Sequence, residues 1–476
     1  MRARLLPLAL AGALLAPAPV TLADVAAPSV QEATLDNGLR VLVLEDHRSP
    51  VVSVQVWYRV GSRNERPGAT GLAHFLEHMM FKGTPTNGKG RFAQLVEQSG
   101  GQDNAFTTQD VTSYFVDIGA DKIDLVLGLE ADRMRNLLLD RAEVDSERQV
   151  VMEERRTRTE DDPSGLLSEE MNSLAFKASP YRWPIIGWME DIERIDPVEL
   201  RAFYDTYYRP NNALLVVVGD VKAEGVLARV RQLFGGLPRG PEPPAVTAVE
   251  PPQIDERRVL VTKAGAQLPI VDIAWHVPDY RSPDAPALTL LSTILSEGRA
   301  SRLYQTLVYE RRVALSAGGD YSYFSLAPNV FWLYGSAMPG QTATALEQAL
   351  LGEVERLKTE QVPDEELARA KNQIEASFVW GLDSVHSRAS TIARFELLGS
   401  WRRQAEFVPA IRAVTAADLV RVARAYFPTD RKNVAVLLPA AEPGAAGEPK
   451  PVGEPKGSEE PKPAGESKSA GEPKKP

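Results

Sequence analysis

The chain is predicted to be an α+β protein, a tandem pair of homologous domains, each a mostly antiparallel sheet packed with helices. Three observations carry that prediction. The segments ELRAFYDTYYRPNNALLVVV (199–218) and DLVRVARAYFPTDRKNVAVLL (418–438) both run helix, aromatic pair, polar turn, strand, and the separation of Leu200 from Tyr208 recurs between Leu419 and Phe427. The segments VVSVQVWYRVGS (51–62) and LPIVDIAWHVPDY (268–280) both alternate with the period of a strand and precede a helix. Between the two copies lies GLPRGPEPPAVTAVEPPQIDER (236–257), whose prolines mark a linker.

The ends differ from the middle. Arg2 and Arg4 precede the apolar run LLPLALAGALLAPAPV, then TLA before Asp24. That is the layout of a signal peptide over 1–23, and it predicts export, with the periplasm as destination. From Ala441 onward GEPK and GESK units recur, so 441–476 is expected to be a disordered spacer or tether. The predicted folded blocks are 24–236 and 258–440, joined by 237–257. No later segment is apolar enough for stable membrane insertion, and ALLVVVGDV has the length of a buried strand. With no cysteine, neither disulfides nor thiolate ligands are possible; the 43% hydrophobic content must supply a core on its own. A net charge of -10 argues against nucleic acid as a partner.

Two of the five histidines lie in GLAHFLEHMMFKGT (71–84). At about 100° per residue, a helix over 71–82 places His74, Glu77 and His78 on one side and Leu72, Phe75, Leu76, Met79 and Met80 on the other. Thr70 is the expected N-cap. Two imidazoles at i and i+4 can reach one zinc ion, and a catalytic zinc site usually has a third protein ligand. Without cysteine that ligand is expected to be an oxygen. The helix EVDSERQVVMEERRTRTEDDP (143–163) offers Glu147 and Glu154 on nearly one face, with Glu153 about 100° away, although any one of these glutamates also suits an exposed charged helix. His47, His276 and His386 show no ligand spacing.

HxxEH, with GLAHFLEHMMFKGT, ERQVVMEE and YYRPNNALLVVVGD, resembles the pitrilysin/insulinase peptidases, the inverzincins. The likeness is to the processing-peptidase branch with two homologous domains per chain, over residues 30–440. It implies one zinc ion per chain on His74, His78 and Glu154, with Glu77 as general base and Glu147 as an outer carboxylate orienting the site. The implied activity is hydrolysis of peptides or unfolded polypeptides by a zinc-activated water. The resemblance also implies that GGQDNAFTTQDVTSYF (100–115) forms an edge strand with Asn104, Ala105 and Phe106 along the cleft. Glycines and threonines suit a strand that starts at a turn, and an edge strand can pair with an extended peptide. Phe81 and Phe106 are candidates for an apolar substrate pocket, with core packing the alternative for either.

The resemblance fails at one place. Family members carry an arginine and, seven residues on, a tyrosine that bind the substrate carbonyl. In LVYERRVALS those positions are Val308 and Leu315, and neither donates a hydrogen bond. Either Arg311, Arg312, Tyr321 or Tyr323 substitutes, or a homologous partner chain supplies the pair, which makes this chain the metal-bearing half of a heterodimer. The alternative to an enzyme is a non-catalytic peptide-binding or assembly subunit, but such relatives have damaged metal ligands and this chain has all of them.

Overall fold

A computed structural model of the chain describes residues 29–440. The segments 1–23 and 441–476, read above as signal peptide and tail, lie outside the described residues. The first sheet contains β1 (Gln31–Thr34), β2 (Arg40–Glu45), β3 (Val51–Tyr58), β4 (Gln102–Thr107), β5 (Thr112–Gly119) and β6 (Ala213–Gly219). The second contains β7 (Arg257–Lys263), β8 (Ile270–Val277), β9 (Ala314–Tyr321), β10 (Asn329–Ala337) and β11 (Asn433–Pro439). Their orders are β1-β2-β6-β3-β5-β4 and β7-β11-β8-β10-β9. Apart from β1 the orders coincide, and in each sheet one pair alone is parallel: β2 with β6, β7 with β11. The repeated sequence segments are therefore repeated structure. The 51–62 and 268–280 segments form β3 and β8; the 199–218 and 418–438 segments form helices Pro197–Tyr207 and Ala416–Tyr426 followed by β6 and β11.

Every residue of β6 is buried, so both faces of the first sheet are covered. One face carries the helices of its own half. The other is covered by a helix of the second half, Val385–Leu397, whose Ala389, Ile392 and Ala393 pack on Leu42, Trp57, Leu214 and Val216. The exchange is reciprocal. Helix Pro163–Ala175 of the first half sets Leu167, Met171 and Ala175 against Ala274, Ala435 and Leu437 of the second sheet. Each half thus buries apolar area belonging to the other, at about 25 cal/mol per Å². The proline-rich linker is held down as well: Glu250 accepts hydrogen bonds from the amides of Lys177, Ala178 and Ser179 at 2.8–3.0 Å.

The segment 100–115 divides into a hairpin. β4 is the edge strand, while β5 pairs on both sides, with β4 and β3.

Candidate metal centre

The histidine helix runs from Leu72 to Met79, with Leu72, Phe75, Leu76 and Met79 buried in the first core. Its start differs from expectation. The cap position is Gly71, at φ 87°, and Thr70 turns away, its hydroxyl donating to Asp191 at 2.7 Å. The first-turn amides go instead to Glu65, which accepts from Gly71 N at 2.8 Å and Ala73 N at 2.7 Å. A helix N-terminus needs an acceptor for its free amides, and a carboxylate also complements the dipole. Burial pushes the Glu65 carboxyl well above its ordinary range, against those two amides.

Gly71 has no room for a side chain, since a Cβ would sit 2.5 Å from the Ile186 carbonyl oxygen. Gly68 has a similar φ, +81°, with open space around it. Gly71→Ala is expected to destabilise the fold by about 2 kcal/mol or more, and Gly68→Ala by about 1 kcal/mol. Urea unfolding of the two variants measures the difference, which reports the clash alone; equal losses would refute it.

Against this helix lies Arg141–Arg155, which carries the three candidate glutamates. His78 Nε2 is 3.3 Å and His74 Nε2 is 3.7 Å from Glu154 Oε2. The three prospective ligand atoms lie within 4.8 Å of one another. Glu154 Oε2 is buried and receives no hydrogen bond among the described residues, while the other Glu154 oxygen is held by Arg158 at 2.8 Å. Two imidazole nitrogens and a carboxylate oxygen, gathered around a buried acceptor with no donor, fit a zinc ion. Glu147 stands behind them: its Oε1 is 2.9 Å from His78 Nδ1, and its Oε2 pairs with Lys82. Glu153 points away, exposed, to Arg156 at 3.1 Å.

Electrostatics separate these groups. Burial, with His78 beside it, lowers His74 to about 4. Burial would lower His78 too, but Glu147 and Glu154 outweigh it and raise His78 to about 9. Burial would raise Glu147, yet His78 and Lys82 hold it below the ordinary carboxylate range. His78, then His74 and Arg158, do the same for Glu154. Burial raises Glu77, whose Oε2 accepts a hydrogen bond from the Thr107 hydroxyl at 2.6 Å. Thr107, Lys82 and Arg158 escaped the sequence reading. Lys82 and Arg158 stand four residues after His78 and Glu154, a spacing that was a usable signal.

The edge strand alternates. Ala105 and Thr107 face the histidine helix; Phe106 faces the other way, edge-on to Trp57 at 5.3 Å. Phe81 packs with Phe92 and Tyr114 on the histidine side, so Phe81 and Phe106 do not share one pocket. Asn104 turns its side-chain oxygen to the Ala105 amide at 2.8 Å. Phe106 lines a 380 Å³ cavity between the halves, with Tyr181, Asp320, Phe324 and Arg394.

Val308 lies in the π-helical segment Tyr304–Glu310, packed on the second core, and Leu315 is 52% exposed on β9. Among the described residues, none of the four possible substitutes forms a hydrogen bond or ion pair with His74, Glu77, His78 or Glu154. Tyr321 donates to the Pro278 carbonyl at 3.0 Å, and Tyr323 packs on Phe324 and Phe407. Arg311 and Arg312 are exposed. The other histidines serve local contacts: His47 with Asp220, His276 with the Ala175 carbonyl, His386 with Asp117.

Two family models match successive parts of the chain: insulinase (peptidase family M16) over residues 40–187, and peptidase M16 inactive domain over 194–374. The zinc protease PqqE of Helicobacter pylori is 34% identical over 415 residues, 87% of this chain and 93% of that one. A Mycobacterium tuberculosis zinc protease, Rv2782c, is 30% identical over 416 residues, 87% and 94% of the two chains. A solved structure of a protease from Helicobacter pylori has a TM-score of 0.84 at 34% identity, covering 87% of this chain and 100% of that one.

Proposed function

The chain belongs to peptidase family M16, and on that premise we propose that it is an exported zinc-dependent endopeptidase of peptides or unfolded polypeptides, acting as the metal-bearing subunit of a heterodimer. The observation that carries this reading is the convergence of His74, His78 and Glu154 on one partly buried point, with Glu77 beside His74 and His78 on the same helix. Held there, one zinc ion per chain would polarise the scissile carbonyl and lower the pKa of a bound water toward 7. The residues of the chain do the rest. Glu77 takes the proton of the attacking water and delivers it to the leaving amine. Thr107 fixes one oxygen of that carboxylate. Glu147 accepts from His78 Nδ1, which leaves Nε2 as the ligand nitrogen. β4, free on its outer edge, offers main-chain groups to an extended peptide near Asn104 and Ala105.

Export rests on the basic start and apolar run of residues 1–23. Among the described residues, no helix is long and apolar enough to cross a membrane. The partner chain rests on Val308 and Leu315, and on Tyr321, Tyr323, Arg311 and Arg312 making no contact with the ligands among the described residues.

Hydrolysis of an unstructured peptide, with zinc content recorded, tests both parts. The chain alone is expected to hold one zinc and turn over slowly. A homologous chain carrying the arginine and tyrosine should raise the rate by about 100- to 1,000-fold, and chelation should abolish it. Fast turnover by the chain alone would overturn the partner. A zinc-loaded pair that cleaves nothing would favour the peptide-binding subunit.

A further inference from the structure

Between helix Pro163–Ala175 and the second sheet lies a cavity of 540 Å³. Elsewhere this contact is apolar, through Leu167, Met171 and Ala175. Here the helix presents Ser164, Ser168 and Asn172, one polar stripe at every fourth residue, and the sheet presents Asp272, Asp320 and Tyr334. Asp272 of β8 pairs in register with Tyr334 of β10, and Asp320 of β9 with Trp332. Directly opposed residues share a face of the sheet, so both carboxylates flank the two rings on the side that meets the helix.

Asp272 is 4% exposed, and among the described residues no lysine, arginine or histidine lines the cavity. Among the described residues it forms no ion pair. Burial pushes its carboxyl up to about 7, opposed by the Trp332 indole alone. A buried carboxylate without a cation is costly to keep. This one stands on the wall of a hollow within the size range of ligand sites, about 300–1,000 Å³. The hollow shares Asn172, Asp320 and Trp332 with the 380 Å³ cavity that reaches Phe106 on β4. The two cavities therefore adjoin, and the smaller of them reaches the edge strand β4 at Phe106.

We infer that this cavity is a subsite for the ammonium or guanidinium group of a lysine or arginine side chain on a bound polypeptide, with Asp272 and Asp320 as its counter-ions. The inference rests on the peptidase reading for its occupant. A peptide's α-amino group has the same charge chemistry, and the experiment separates the two.

The test is fluorescence anisotropy with the full-length, zinc-loaded Glu77→Gln chain. The probes are short unstructured peptides, N-acetylated, with one lysine scanned along them and norleucine as the uncharged counterpart. At least one lysine register should bind about tenfold or more tighter than its norleucine twin. That preference should vanish in Asp272→Asn and in Ser168→Leu, which closes the cavity from the helix side, and shrink in Asp320→Asn. Above neutral pH, Asp272→Asn should melt at or above the temperature of the parent, because a buried unpaired carboxylate has gone; a merely structural Asp272 would make it melt lower. Equal affinity for every lysine and norleucine peptide would overturn the subsite, as would a preference that survives both Asp272→Asn and Ser168→Leu. A preference appearing only with free N-termini assigns the charge to the α-amino group and overturns the side-chain assignment. Lysine-selective binding by a chain whose wild type cleaves nothing would support the subsite while defeating the peptidase reading.

Discussion

Replacing Glu77 with glutamine should lower peptide hydrolysis by about 10²- to 10⁴-fold while leaving zinc content and melting temperature unchanged. The separation of effects follows from where Glu77 stands. It shares a helix with His74 and His78 but is outside the set of three converging ligand atoms. Its carboxylate accepts from Thr107 at 2.6 Å, and a glutamine carbonyl oxygen accepts that hydrogen bond equally well, so strand and helix stay joined. What glutamine cannot do is take a proton. Burial raises the Glu77 carboxyl, which suits a base that must pick up a proton near neutrality and release it later. Turnover, zinc by mass spectrometry and a thermal melt on one preparation read all three quantities. Loss of zinc would make Glu77 a ligand; unchanged turnover would remove it from the reaction.

How far the sequence alone carries the structure depends on how local each cause is. The repeated segments became β3 and β8, β6 and β11, because alternation and buried apolar runs are properties of neighbouring residues. The exchange of helices between the halves was invisible: the apolar stripe of Leu167, Met171 and Ala175 says that the helix packs, not on which sheet. At the metal centre the i, i+4 pair was legible in the same local way, and the turn angle put Glu147 and Glu154 on one face. Both do reach His78, one at each nitrogen, while Glu153 does not. Thr70 failed as a cap because the acceptor that displaces it, Glu65, comes from the preceding loop and reaches two amides at once. Phe106 parted from Phe81 for a reason in the strand period itself: residues 105 and 107 share a face and 106 has the other. What was missing was which face meets the histidine helix, and Thr107 supplies that through Glu77.

Arg155 is expected to give the largest loss of stability of any single substitution argued from this site. It follows Glu154, but its side chain runs the opposite way, into the protein, where it is 5% exposed. It donates to both oxygens of Glu169 at 2.8 and 2.9 Å and to the Gly187 carbonyl at 2.8 Å. One guanidinium thus ties the end of the glutamate helix to the exchanged helix Pro163–Ala175 and to the turn that packs against Gly71. Arg155→Ala would leave Glu169 buried without a partner, a change that typically costs about 3–5 kcal/mol. It would also free the helix turn that aims Glu154, so zinc affinity should fall by about 10- to 100-fold, as when a group that orients a ligand is removed. The double substitution Arg155→Met with Glu169→Met separates the two effects. Removing both charges should return most of the stability, since a buried pair adds little over well-packed apolar groups. Zinc affinity should stay low, because nothing then fixes the helix end to the Gly187 carbonyl. Urea unfolding of the metal-free protein and competition with a chelator measure the two quantities independently. If Arg155→Ala unfolds within about 1 kcal/mol of the wild type, or if affinity recovers along with stability in the double variant, the guanidinium is not what holds Glu154 in place.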